Sequence, residues 1–207
     1  MAFPIFRTGS MAALARLSLL FLASLLALLG GCHPGPGFHG TDISGAGYGR
    51  DFSLRDPSGR VRSLADFRGK VVFVFFGYTQ CPDVCPTNLA NLAQAMKLLG
   101  PDSERVQVLF VTVDPERDTP ELLANYVPTF DKRFVGLYGD AAATKATATE
   151  FKVYYHKRPG STPETYTVDH SAGTYLYDPQ GRLRLYQKHG ETPENLAFDT
   201  RLLLAGK

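Results

Sequence analysis

The chain has 207 residues, enough for one domain of ordinary size with a segment to spare. Its 22 Lys and Arg against 20 Asp and Glu give a formal net charge of +2, and Arg7 and Arg16 lie in the first 31 residues, where there is no acid. The remainder is therefore neutral, and with no basic cluster interleaved with aromatics it lacks the footprint of a nucleic-acid binder.

Residues 1–31 read as a targeting segment, because Leu17 to Leu29 is an apolar run of signal-peptide length rather than bilayer-spanning length. The segment ends in Leu29-Gly30-Gly31-Cys32, which resembles a bacterial lipobox. Residues 1–31 are thus expected to be a lipoprotein signal peptide, with Cys32 the lipidated first residue of the mature chain. The alternative is an uncleaved N-terminal anchor with an incidental cysteine. Either way the expected location is the cell membrane, with the domain on the periplasmic or extracytoplasmic side. Residues 32–49 turn to Gly and Pro with few apolar side chains, the composition of a flexible tether. Residues 50–207 then form one domain.

Within that domain Asp56-Pro57-Ser58-Gly59 separates two short apolar stretches, and Asp178-Pro179-Gln180-Gly181 does the same later. Proline second and glycine fourth fit a type I turn closed by a bulge, so each is a predicted hairpin. Val71 to Phe76 is too short for a helix and too uniformly apolar for a half-exposed strand, and is expected to be a buried central strand. Leu89, Leu92, Ala93, Met96 and Leu99 then repeat at helical spacing up to Gly100-Pro101. Val106 to Val113 is a second buried strand, Thr119-Pro120 opens a helix to about Phe130, and Phe134 to Leu137 is a short strand. Asp140 caps a helix reaching Phe151, and Thr192-Pro193 opens the last helix. This order predicts an α/β, thioredoxin-like fold: a mixed central sheet, helices on both faces and an N-terminal β-hairpin. Chemistry in such sheets gathers beyond the carboxyl ends of the parallel strands, where the loops 77–86 and after Val113 both lie.

The first of those loops holds Cys81-Pro82-Asp83-Val84-Cys85-Pro86. With Cys32 set aside, the three cysteines leave one pair, which is not a disulfide framework. A residue before proline is pushed out of the α region, so neither thiol is expected inside a regular helix; Cys85 suits the N-cap, with Pro86 first in the helix. A looped segment can bring the pair within disulfide range, and the helix N-terminus should lower a thiol pKa. The pair is thus a redox-active couple or an inert structural disulfide.

Farther on come Asp114-Pro115-Glu116-Arg117-Asp118-Thr119-Pro120 and Thr167-Val168-Asp169-His170-Ser171. Together with the paired cysteines and Gly69-Lys70-Val71-Val72, these motifs resemble the Sco/SenC family of copper chaperones for cytochrome c oxidase assembly, from Asp51 to the last helix. The resemblance implies copper, as Cu(I) or Cu(II), bound by Cys81, Cys85 and His170. It places Asp114 and Asp118 near the site, where they orient a ligand or partner; Asp118 alternatively helps cap the following helix, and Asp83 caps its own turn. Thiolates select soft Cu(I), an imidazole also suits Cu(II), and a structural zinc site would want four donors.

The implied partners are the copper-bearing subunit of the oxidase, other copper chaperones and a thiol reductant. The protein is then a metallochaperone for the binuclear copper centre rather than an ordinary enzyme. The rival is a thiol-disulfide oxidoreductase that reduces the oxidase's copper-ligand cysteines, with thiol peroxidase a weaker third reading. His33, His39, His156 and His189 are expected to be solvated. Tyr154, Tyr155, Tyr166, Tyr175, Tyr177 and Tyr186 are expected at core edges rather than along an electron path.

Overall fold

The structure, a computed structural model, describes residues 37–162 and 165–207. The signal-peptide and Cys32 expectations lie outside the described residues. In chain order the strands are Thr41–Asp42 (β1), Leu54–Arg55 (β2), Val61–Arg62 (β3), Val71–Gly77 (β4), Val106–Thr112 (β5), Val135–Leu137 (β6), Tyr155–Arg158 (β7), Thr167–His170 (β8), Thr174–Tyr177 (β9) and Leu183–Gln187 (β10). The α-helices are Val84–Leu99 (α1), Pro120–Tyr126 (α2), Ala141–Glu150 (α3) and Pro193–Leu204 (α4).

One mixed sheet runs β1-β10-β9-β4-β5-β6, with β4, β5 and β6 parallel, β9 antiparallel to β4 and β10 antiparallel to β9. The apolar runs explain its centre. β4 and β5 are buried at every position, as strands covered on both faces must be. Successive side chains point to opposite faces, so Phe75 and Phe76 divide the core between them. Phe75 meets Phe110, which meets Tyr126 of α2, both at 6.0 Å between ring centres. Phe76 packs on Phe151, at the end of α3, from the other side. Cys85 of α1 and Tyr126 of α2 pack on the Phe110 face, while Phe151 at the end of α3 packs on the Phe76 face, so helices cover both faces of this thioredoxin-like sheet.

Both predicted turns form. Gly59 and Gly181 take positive φ (83° and 75°), and their amides bond to the carbonyls of Asp56 and Asp178 at 2.8 Å. The two aspartates also accept from the backbone two residues on, Ser58 and Gln180, each at 3.0 Å. Thr119, Asp140 and Thr192 cap α2, α3 and α4 through their side chains.

The structure differs from expectation in three places. First, the chain is fixed well before residue 50. The His39 and Gly40 amides donate to the two oxygens of buried Asp199 in α4 at 2.8 Å, and β1 pairs with β10. Gly49 is held by Tyr177 and by Glu150. Glycine-rich composition conceals these contacts because the backbone makes them. Second, β7 and β8 form a separate antiparallel hairpin, with Tyr155 opposite His170. Most of its side chains are exposed, so it leaves no apolar pattern to read. Third, α1 begins at Val84 with Asp83 as N-cap, which puts Cys85 inside the first turn. Pro86 is tolerated there because the first amides of a helix have no intrahelical acceptor.

Asp199 also accepts from Gln187 Nε2 at 2.6 Å, so Asp199→Ala strands three donors. The variant is expected to lose about 2 kcal/mol of unfolding free energy in urea titration. Its His39 and Gly40 amides should exchange hydrogen faster than the parent's, and unchanged exchange there would show that the chain entry is held by other contacts.

Candidate metal centre

Three segments meet at the carboxyl ends of β4 and β5. β4 ends on Gly77, where a Cβ would lie 2.8 Å from Cys85 Sγ and 2.8 Å from the Phe110 ring, so any larger residue displaces the thiol. The loop that follows is pinned by Asp118. Its carboxylate accepts from the Thr79 amide at 3.1 Å and from the Thr79 and Thr112 hydroxyls, each at 2.6 Å. Burial pushes the Asp118 carboxyl above its usual range, although the Thr112 and Thr79 hydrogen bonds oppose this. Asp118 does not cap α2; the Thr119 hydroxyl does, accepting from the Leu122 amide.

Beyond Thr79 the chain presents Cys81, half-buried, and then Cys85, fully buried; both are free thiols. The Cys85 amide, one of the unpaired donors at the start of α1, points at Cys81 Sγ at 3.4 Å. Cys85 Sγ lies 3.4 Å from His170 Nε2, and the two sulfurs and a ring nitrogen of His170 all lie within 4.8 Å of one another. His170 Nδ1 sits 3.0 Å from the Ser171 carbonyl. A carbonyl only accepts, so Nδ1 carries a proton, and Nε2 is the ring nitrogen that faces the sulfurs. Tyr78 and Phe75 flank the imidazole at 5.8 and 6.3 Å. A cleft of about 440 Å³, lined by Tyr78, Cys81, Asp83, Asp169 and His170 among others, opens the group to solvent.

The two thiols are electrostatically unequal. Cys81 is held far below the ordinary thiol range, first by the hydrogen bond from Cys85 and then by His170 and the Cys85 and Asp83 amides, against the effect of burial. Cys85 is pushed up by donating to Cys81 and by burial. The pair therefore carries one thiolate, on the more accessible sulfur, and one proton. The expected lowering of a thiol pKa at the helix N-terminus falls on Cys81, not on the cysteine within the helix.

Among the described residues this is the one cluster of three metal-ligating groups, with two soft donors and one imidazole. Asp114 and Asp118 lie beneath it, both buried and engaged elsewhere. Asp114 accepts from the Tyr166 hydroxyl at 2.6 Å and from Arg117 Nε. Asp83 is exposed and its side chain does not cap α1. His39 packs edge-on against Phe198, His156 and His189 are exposed, and His33 lies outside the described residues. Tyr175 and Tyr177 are buried and Tyr154 is exposed. Tyr155, Tyr166 and Tyr186 pack partly buried against the core. Sequence reasoning passed over Gly77, Thr79, Thr112 and Arg117. Gly77 ends an otherwise bulky apolar strand, which is a readable sign of close approach.

A thioredoxin-like domain with a Cys-Cys-His group at the end of its parallel strands defines the class. The profile of the SCO1/SenC family matches residues 41–205, and the chain belongs to that family. The chain is 42% identical over 157 residues to the mitochondrial SCO2 homologue of Bos taurus, a match covering 75% of this chain and 59% of that protein. It thus spans about three fifths of that relative's length. The copper-bound structure of Bradyrhizobium japonicum ScoI aligns with a TM-score of 0.69 and 40% identity, covering 74% of this chain and 98% of that one. A third relative is BsSco, described as a member of the Sco family of cytochrome c oxidase assembly proteins with a disulfide switch. It aligns with a TM-score of 0.59 and 25% identity, covering 81% of this chain and 98% of that one.

The unequal thiols give a pH test. Reduced protein treated with iodoacetamide should be alkylated at Cys81 first, at a rate nearly flat between about pH 5 and 8, because the reactive thiolate is already formed and is lost only as pH falls toward its lowered pKa. Peptide mapping that finds Cys85 modified first, or a rate climbing about tenfold per pH unit as for an ordinary thiol, would contradict the assigned charge distribution.

Proposed function

We propose that this protein is a membrane-anchored metallochaperone that carries copper on Cys81, Cys85 and His170 to the binuclear copper centre of cytochrome c oxidase. The observation that carries the reading is the convergence of two sulfurs and an imidazole nitrogen within 4.8 Å beside an open cleft. Two thiolates suit Cu(I), the added imidazole suits Cu(II), and a three-donor set leaves a position for an incoming ligand from the acceptor. The copper-bound family structure supports the choice of metal, and the description of BsSco supports the oxidase as recipient. Lipid on Cys32, after removal of residues 1–31, would hold the domain at the outer face of the membrane. The copper-bearing oxidase subunit, other copper carriers and a thiol reductant are the partners in this reading.

The reduced domain is expected to bind one copper ion in titration. Cys81→Ser and Cys85→Ser should each abolish tight binding, and a Cys81–Cys85 disulfide should remove it until reductant is added, because thiolate is the ligand. Full stoichiometry and affinity in both serine variants would overturn the site.

The inequality of the thiols favours a second reading, a thiol-disulfide reductase. The Cys81 thiolate would attack a disulfide of the partner, and Cys85 would then displace the mixed disulfide, leaving Cys81–Cys85 oxidised and the partner with two thiols. That exchange needs no imidazole ligand. His170→Ala is therefore expected to keep a reducible pair and Cu(I) on the sulfurs, yet lose tight Cu(II) binding and oxidase assembly at low copper. Assembly equal to the parent's in this variant, alongside failure of Cys81→Ser, would transfer the assignment to the reductase.

A further inference from the structure

His170 reaches the cysteines from a hairpin that is not part of the central sheet. Of the strand side chains in β7 and β8, only Val168 is buried. The Arg158–Asp169 pair joins the hairpin to itself, and Lys157–Glu116 is an exposed ion pair of the kind that contributes little. A different contact ties the hairpin to the cysteine loop. The Arg117 guanidinium lies flat on the Tyr166 ring, 3.5 Å from its centre, and Nη1 donates to the Tyr166 carbonyl at 2.8 Å. The same Nη1 also donates to Gln80 Oε1 at 3.1 Å, and Nε donates to Asp114. The Tyr166 hydroxyl closes the ring by donating to the other Asp114 oxygen at 2.6 Å.

One side chain thus touches the residue before Cys81 and the residue that leads into β8, on which His170 sits at the far end. Tyr166, Val168 and His170 alternate along the strand and share a face, so β8 is a stiff arm gripped at its start. We infer that Arg117, together with Asp114 and Tyr166, is the positioning element that brings the His170 imidazole to the two sulfurs. This rests on the copper reading above. It gives Arg117 no contact with the metal; its action passes through the hairpin. Guanidinium chemistry is required, because a lysine cannot lie flat on the ring while directing separate N–H groups to a carboxylate, a carbonyl and an amide oxygen.

The consequence is a split between oxidation states. Cu(I) on the two sulfurs depends on the loop 77–85 alone, whereas Cu(II) depends on the imidazole as well. In the reduced domain, Arg117→Gln and Arg117→Lys are each expected to weaken Cu(II) about 10- to 100-fold in competition titration, the range for a group that orients a ligand. Cu(I) affinity should stay within about threefold of the parent, below that range. The nitrogen hyperfine pattern of bound Cu(II) should be lost or altered in electron paramagnetic resonance, and Tyr166→Phe, which keeps the ring but frees Asp114, should fall between. Parent-like Cu(II) affinity and spectrum in both Arg117 variants would overturn the inference. So would an equal loss of Cu(I) and Cu(II), because that marks a general structural role. If instead His170→Ala leaves Cu(II) binding and its spectrum unchanged, the copper reading itself fails, and the two failures are told apart by that variant.

Discussion

The parallel pairing of β4 with β5 is the constraint on which this end of the molecule depends. The strands match residue for residue from Val71 opposite Val106 to Gly77 opposite Thr112, so they stop together. Their outgoing loops therefore start side by side, and the Val113 amide still bonds to the Gly77 carbonyl at 2.9 Å. Without that shared ending, Asp118 on one loop could not accept from Thr79 on the other, nor could Gly77 leave room for Cys85 Sγ. The apolar content of the two strands supplies the driving force, each buried Phe or Val side chain contributing about 1.5–3 kcal/mol. That burial is what permits a polar, strained-for-space loop at the strand ends.

Two buried carboxylates sit under the site, and they are accommodated in different ways. Asp114 has a cation and a phenol: Arg117 and Tyr166. Asp118 has two hydroxyls and an amide. Removing a carboxylate from water costs several kcal/mol, and hydrogen bonds to a charged group return about 1.5–3 kcal/mol each. The two bonds to Asp114 and the three to Asp118 are together of the same size as the cost, so each acid is held only while its whole set of donors is in place. The acids thereby lock loops to one another. Asp118 joins the cysteine loop to the end of β5, and Asp114 joins the Arg117 loop to the start of β8. Neither carboxylate joins the Cys-Cys-His group, yet the positions of those three side chains follow from both.

The legible part of this fold was the part whose signal is local. The Asp-Pro-x-Gly turns specify themselves in four residues, Thr119, Asp140 and Thr192 cap helices through their own side chains, and β4 and β5 are continuous apolar runs. What escaped was held by long-range or backbone contacts. β1 is two residues pairing with β10, and the chain before it hangs from Asp199, so a Gly-rich composition reads as free tether. The hairpin carrying His170 is mostly polar and exposed, and periodicity has nothing to report there. In the site, Cys81, Cys85 and His170 were visible through residue type and family resemblance. Arg117 was not, because a charged residue in a charged loop reads as solvated until its partners are seen across the fold.

On the copper reading proposed above, the difference in support between the two halves of the site bears on how copper would be both held and released. The sulfur half is built into the sheet end: Cys85 is fully buried against Gly77, and Thr79 is fixed by Asp118. The imidazole half hangs on a two-stranded arm with one buried strand residue, held by the Arg117 guanidinium at its start and by Tyr78 beside Val168 and His170. A carrier needs a site tight enough to keep its cargo and open enough to surrender it. Three donors from a single rigid element would satisfy the first need and oppose the second. Placing the borderline donor on a separately held arm would let its departure expose a two-sulfur state without unfolding the core, since the arm shares no hydrogen-bonded ladder with the central sheet. If Arg117 positions the arm as inferred above, its grip on Tyr166 would set how readily the arm leaves, and the sheet would set what remains when it does.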